Sequence, residues 1–151
     1  GSGPFPTELL DALGDSIREA GGEYGSTTGR PRRCGWFDVP MTKYSVRLNG
    51  FTALNLTKLD VLDELDEIKV ATSYTLDGKV LESIPASLED LARVEVQYET
   101  LPGWKTSLKD VTSWEALPEN AKNYVLRLET LLTCPLKYIG VGQRRDQLLV
   151  R

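Results

Sequence analysis

The spacing of apolar residues alternates between helical and extended periods along this chain. Over residues 7–20, Leu9, Leu10, Leu13 and Ile17 recur at helical intervals, with Thr7 expected as N-cap and Gly21-Gly22 as the stop. A second short helix is expected over residues 39–48, closed by Asn49-Gly50, a pair suited to a left-handed C-cap. In "FTALNLTKLDVL", Leu54, Leu56 and Leu59 stand among threonines and predict a buried strand running out into a loop. "EIKVATSYTLDGKVLESIP" alternates apolar and polar residues on both sides of Asp77-Gly78, the signature of a tight antiparallel hairpin. "SLEDLARV" predicts a short helix with Ser87 as cap and Asp90 at N3. "VEVQYETLPGW" predicts a strand ended by Pro102-Gly103. In "PENAKNYVLRLETLL", Pro118 sits at or near N1, and Ala121, Tyr124, Val125, Leu128 and Leu131 form one apolar face. "PLKYIGVGQRRDQLLV" then predicts a strand, a glycine turn and a last apolar segment.

Helices and strands therefore mix, and one hairpin is antiparallel. The expected class is α/β with α+β character, helices around a mixed sheet, and not a doubly wound unit. With 151 residues, 40% of them hydrophobic, a single domain spanning 1–151 can bury a core of ordinary size. The net charge of −4 argues against a general nucleic-acid or membrane surface. No apolar run approaches the ~20 residues needed to span a bilayer, and "GSGPFPTELL" lacks a signal-peptide pattern. Cys34 and Cys134 stand far apart and read as buried small hydrophobes in a reducing compartment. A cytosolic location is the simplest expectation.

Against that acidic background, "GSTTGRPRRCGW" places Arg30, Arg32 and Arg33 behind Thr27 and Thr28 and between glycines. Hydroxyls, backbone N–H groups and guanidinium forks are the parts that hold carboxylate or phosphate. Pro31 stiffens the spacing, so Arg30 and Arg32 do not easily serve one oxygen. A solvated turn whose arginines pair with surface glutamates is the equal alternative. In Thr57-Lys58-Leu59-Asp60, a lysine and an aspartate two apart end the predicted strand, where open sheets bind ligands. That spacing resembles the guanine-reading element of GTP-binding folds; a charged strand end before "DVLDELDE" is the plain alternative. Gly140-Val141-Gly142 lets a backbone approach a flat ligand or merely turn. Histidine is absent, as are a G-x-x-x-x-G-K-[ST] phosphate loop and an evident carboxylate pair for acid/base work. The chain thus has parts for binding anions and a purine, without a catalytic set.

Taken in order, "GPFPTE", "TTGRPRRCGW", "NGFTALNLTKLDVLDELDEIKV", "SYTLDGK", "VEVQYETLPGW", "LPENAKNY" and "IGVG" resemble the C-terminal part of the adenylosuccinate synthetase family, nearest its eukaryotic branch. The resemblance implies a GTP-dependent ligase that converts IMP and L-aspartate to adenylosuccinate, GDP and phosphate in AMP biosynthesis. It implies that GTP is a substrate, that Mg2+ is required, and that the whole enzyme is a cytoplasmic homodimer that binds neither nucleic acid nor membrane. The phosphate loop, the catalytic residues and the magnesium ligands would lie in an N-terminal part absent here. The chain alone is then expected to be inactive and to hold no catalytic residue or metal. By the same resemblance Ser26, Thr27, Thr28, Gly29, Arg30, Pro31 and Arg32 form the aspartate-binding loop. Arg30 also lies close to IMP, and Arg32 reaches the GTP ribose. Lys58, Leu59 and Asp60 read guanine, and Gly140, Val141 and Gly142 close over the base. A stand-alone nucleotide- or anion-binding module without catalysis is the competing reading, and a plain interaction domain a third.

Overall fold

In the computed structural model, which describes residues 2–151, the elements run α1 Ala12–Gly21, β1 Phe37–Asp38, α2 Val39–Asn49, β2 Leu54–Leu56, a 3₁₀ turn Leu59–Leu62, β3 Glu67–Leu76, β4 Lys79–Val80, α3 Leu88–Arg93, β5 Glu95–Pro102, α4 Glu119–Leu132, β6 Leu136–Gly140 and β7 Leu148–Val150. The expected domain 1–151 begins at Gly1, which lies outside the described residues. The chain divides into two units, each drawn from two stretches: Gly1–Tyr44 with Lys69–Glu99, and Ser45–Ile68 with Thr100–Arg151.

In the first unit, Asp11 and not Thr7 caps α1, accepting from the Gly14 N–H at 3.1 Å. The expected start fails because Thr7 is used elsewhere. Its hydroxyl donates to the Trp36 carbonyl at 2.9 Å, and its own carbonyl accepts from the Trp36 N–H. This extended pairing leaves Leu10 89% exposed. Gly35 permits it, since a Cβ there would lie 2.2 Å from the Thr7 carbonyl oxygen. At the other end Gly22 adopts φ 58° and closes α1 as expected.

β1 runs parallel to β3, pairing Phe37 with Val70, while β4 is antiparallel to β3 and β5 also pairs with β3. The predicted hairpin forms, with Asp77 at φ 52° and Gly78 at φ 79°, the two positive values a tight primed turn requires. Val70, Ala71 and Tyr74 are buried, together with Cys34, Trp36, Val39 and Leu91. Asp38 accepts from the Met41 N–H and the Tyr74 hydroxyl, and burial holds its carboxyl above the ordinary range. Ser87 caps α3 as predicted, accepting from the Asp90 N–H at 3.0 Å. Ser87→Ala should loosen α3 by about 1 kcal/mol, read as roughly fivefold faster amide exchange confined to that helix. Unchanged exchange would mean that the cap contributes nothing.

The second unit is built on a three-stranded sheet in the order β2-β6-β7, with β2 parallel and β7 antiparallel to β6. α4 buries Ala121, Tyr124, Val125, Leu128 and Leu132. Leu132 takes the place expected of Leu131, because a step of four from Leu128 keeps closer to the 3.6-residue period of this face. Pro118 is the N-cap, one position before the first helical residue. The strand predicted through Leu59 stops at Leu56. Lys58 turns into the left-handed region at φ 57°, and Leu59 is buried from the 3₁₀ turn instead. Ile68, Leu108, Leu117, Leu136, Ile139, Val141 and Leu149 complete this core, with Cys134 also buried. Each sheet mixes parallel and antiparallel pairing, so the class is the mixed α/β expected, in two sheets and not one. Among the described residues no helix is long and apolar enough to cross a membrane.

Candidate substrate-binding site

The arginine stretch is a short hairpin-like loop in the first unit. Gly25 donates its N–H to the Arg30 carbonyl and Gly29 donates to the Gly25 carbonyl, both at 2.9 Å. Gly29 sits at φ 65°, and the Thr28 hydroxyl accepts from the Arg30 N–H at 3.3 Å. Ser26, Thr27, Thr28, Gly29, Arg30, Pro31 and Arg32 are all exposed. A cavity of about 450 Å³ lies beside them, lined by Phe5, Gly25, Thr28, Arg30, Arg32 and Arg33 among others.

The three arginines separate by partner. Arg33 makes a two-pronged ion pair with Glu8 at 2.8 and 2.7 Å, donates to the Gly3 carbonyl and lies 5.3 Å from the Phe5 ring centroid. That pairing holds the Glu8 carboxyl below its usual range. Arg32 pairs with Glu23 at 2.9 Å. The alternative of arginines paired with surface glutamates thus describes Arg33 and, in part, Arg32. The Arg30 guanidinium has no ion-pair or hydrogen-bond partner among the described residues, and it is the fork most free to take an anion. Neither Glu8 nor Glu23 was singled out in the sequence. Their separations from the arginines, 25 and 9 residues, follow no local period.

The other two stretches come together in the second unit. β2 and β6 are adjacent and parallel, with Leu56 opposite Ile139, so Thr57-Lys58-Leu59-Asp60 and Val141-Gly142 leave neighbouring carboxyl ends of the sheet. Gly140 packs directly on that turn: a Cβ there would lie 3.3 Å from Thr57 Cα and 3.4 Å from the Lys58 nitrogen. At Gly142 a Cβ would lie 2.2 Å from Gln147 Oε1, the end of a flexible side chain that would have to move aside. Gln147 closes the loop on itself by accepting from the Arg144 N–H and ties it to the preceding segment by donating to the Lys109 carbonyl. Val141 is buried and donates its N–H to the Gln147 carbonyl.

Asp60 is the exceptional residue. Its Oδ1 is buried and has no hydrogen-bond partner among the described residues. A buried acceptor left unpaired costs about 1–3 kcal/mol, so this oxygen calls for a donor that the described residues do not supply, whether a water, an ion or a ligand. Three residues on, Asp63 is buried too but fully engaged, accepting from Trp104 Nε1 at 2.7 Å and from the Leu108 N–H at 2.9 Å. Burial raises its carboxyl above the ordinary value, opposed by those two hydrogen bonds. In the sequence Asp63 is one acid of "DVLDELDE", with nothing local to distinguish it from its solvated neighbours. Among the described residues no group of three or more carboxylate or thiol side chains is placed to hold a metal ion.

The family model described as adenylosuccinate synthetase matches residues 1–149. The chain belongs to the adenylosuccinate synthetase family. It is 56% identical over 150 residues to the adenylosuccinate synthetase of Trichlorobacter lovleyi, covering 99% of this chain and 35% of that protein. With that of Mycosarcoma maydis it is 56% identical over 151 residues, covering 100% of this chain and 34% of the relative. The equal identities do not favour the eukaryotic branch that the motifs suggested. A solved structure, of fully ligated adenylosuccinate synthetase from Plasmodium falciparum, superposes with a TM-score of 0.95 at 42% identity, over 100% of this chain and 37% of that one. The chain thus spans about a third of the length of its adenylosuccinate synthetase relatives. These shares measure the extent of the match and not its place, so they do not bear out the expected C-terminal position.

Proposed function

We propose that this chain supplies aspartate and guanine recognition to an adenylosuccinate synthetase, a ligase that joins IMP and L-aspartate at the expense of GTP. In that reaction GTP phosphorylates the 6-oxygen of IMP, and the aspartate amine then displaces phosphate to give adenylosuccinate and GDP. Thr27, Thr28 and Arg30 hold the aspartate carboxylates on a loop shaped by Ser26, Gly29 and Pro31, with Arg30 also near IMP. Arg32 reaches the GTP ribose. The Lys58 stem and Leu59 cover the guanine ring, Asp60 accepts from its N1–H and 2-amino groups, and Gly140, Val141 and Gly142 close over the base. Phosphoryl transfer rests on positioning and on stabilising phosphate charge. The groups for that work, including the ligands of Mg2+, are assigned to parts of the enzyme outside this chain. The reading takes residues 1–151 as one substrate-binding region of a cytoplasmic homodimer.

The observation that carries this reading is the buried Oδ1 of Asp60, unpaired among the described residues, in the turn whose Thr57 and Lys58 Gly140 packs against. A carboxylate acceptor matches the donor edge of guanine, whereas adenine turns a lone pair toward it at N1. The test is adenylosuccinate formation by the full-length enzyme with GTP or ATP as phosphoryl donor. GTP should be favoured by on the order of 10⁴ in kcat/KM, the scale for a site whose buried polar group is left unpaired by the wrong base. Equal turnover with ATP would overturn the guanine assignment.

A further inference from the structure

We propose that Asp63 is a positioning residue for base recognition, a buried anchor that holds the 3₁₀ turn so that Asp60 presents its unpaired oxygen to the base. The proposal rests on the guanine reading of Asp60. Its geometry lies wholly within the second unit. Asp63 ends the turn by donating its N–H to the Asp60 carbonyl at 3.1 Å, so the backbones of the two residues are joined. Its two carboxylate oxygens are divided between separate donors, Oδ1 for Trp104 Nε1 and Oδ2 for the Leu108 N–H.

Those donors belong to a segment that is itself fixed. Gly103 abuts the far end of the same acidic run, where a Cβ would lie 1.8 Å from the Leu65 carbonyl oxygen. The Gly103 N–H donates to the Asp66 carbonyl at 2.8 Å, and its carbonyl accepts from Asn120 Nδ2 at 2.9 Å. The Trp104 ring packs at 6.0 Å from Tyr124 on α4. A line of contacts therefore runs from α4 through Trp104 and Asp63 to Asp60. A short 3₁₀ turn has poorer hydrogen-bond geometry than an α-helix and cannot hold an unpaired carboxylate in place unaided. Bonds to an ionised acceptor are about twice as strong as neutral ones, which suits Asp63 to that task.

The experiment compares Asp63→Asn, Trp104→Phe and Asp60→Asn in the full-length enzyme. Asp63→Asn keeps the shape but turns an amide NH2 toward a donor, and Trp104→Phe deletes one donor while keeping a ring against Tyr124. The measurements are KM for each substrate, kcat, and the ratio of kcat/KM for GTP over xanthosine triphosphate. Asp63→Asn should raise KM for GTP about 10-fold or more and Trp104→Phe about 3- to 10-fold, the range for bonds to a charged acceptor, with IMP and aspartate within about twofold. The GTP-over-xanthosine ratio should fall in both. Equal rises for all three substrates, or lower thermal stability with GTP kinetics and base ratio unchanged, would make Asp63 a fold residue only and overturn the proposal. Should Asp63→Asn fail to fold, Trp104→Phe decides by the same measurements. An effect of Asp60→Asn without one in the other two variants defeats the anchor and leaves the guanine reading standing. No effect of Asp60→Asn defeats that reading, and the anchor with it.

Discussion

Asp60→Asn in the full-length enzyme should lower kcat/KM for GTP by on the order of 10²–10³ while making xanthosine triphosphate a usable donor, because a charge-assisted pair of bonds becomes one bond and one donor–donor clash. Guanine offers N1–H and a 2-amino group, two donors that a carboxylate accepts together. The asparagine amide can accept only one of them and turns its own NH2 toward the other. Xanthine carries an oxygen where guanine has the amino group, so the same amide matches it in both places. The change is close to isosteric, and Oδ1 has no hydrogen-bond partner among the described residues to lose. Stability should therefore hold. Steady-state kinetics with both nucleotides, beside a thermal melt, give the answer. GTP kinetics that match the parent enzyme would remove Asp60 from base recognition.

Arg30→Leu should raise KM for aspartate at least ~30-fold with GTP affected about threefold or less, since truncating a charge-assisted contact in a binding site costs about 2–5 kcal/mol. The structure makes this a clean substitution. The Arg30 guanidinium has no partner among the described residues, and the bonds that shape its loop are backbone ones, from Gly25 to Arg30 and from Gly29 to Gly25. Arg32→Leu should show the opposite preference, weakening GTP more than aspartate, with some loss of loop order because the Glu23 pair at 2.9 Å goes too. Arg33→Leu should behave differently from both. It breaks the clamp on Glu8, Phe5 and Gly3 and disturbs every substrate of the loop alike. The pattern of three KM values across three variants separates these roles. Uniform losses in the Arg30 and Arg32 variants would reduce the loop to a structural element.

Local chemistry explains which elements were legible. The Asp77-Gly78 hairpin, the Ser87 cap and the buried face of α4 each depend on residues within a few positions of one another; the first two formed as their patterns indicated, and the α4 face did so except that Leu132 is buried in place of Leu131. Thr7 departs from the cap its sequence suggests because cap propensity is local, whereas the Trp36 carbonyl that takes its hydroxyl lies 29 residues away. The strand expected through Leu59 stops short for a related reason. Leu54, Leu56 and Leu59 among threonines suggest apolar positions turned inward, but not whether a strand or a turn carries each of them; Lys58 at φ 57° ends the strand early, Leu54 and Leu56 are half-buried, and only Leu59, on the turn, is fully buried.

The sequence by itself determined the family, through seven motifs in order, and the kinds of side chain offered to substrate: guanidinium forks behind threonines, and a lysine and an aspartate two apart. Residue type and near-neighbour spacing survive in one dimension, so these could be read there. Only the tertiary structure decided which arginine is free, since Glu8 and Glu23 claim their partners from 25 and 9 residues away. It alone brought Gly140 against Thr57 and Lys58, through a parallel pairing of β2 with β6 that no local period encodes. And it alone told two aspartates three residues apart from each other. Asp63 meets the indole of Trp104 across 41 residues, while Asp60 Oδ1 is buried with no donor among the described residues. A carboxylate's chemistry is set by the donors that surround it, and those donors are assembled by packing between distant segments.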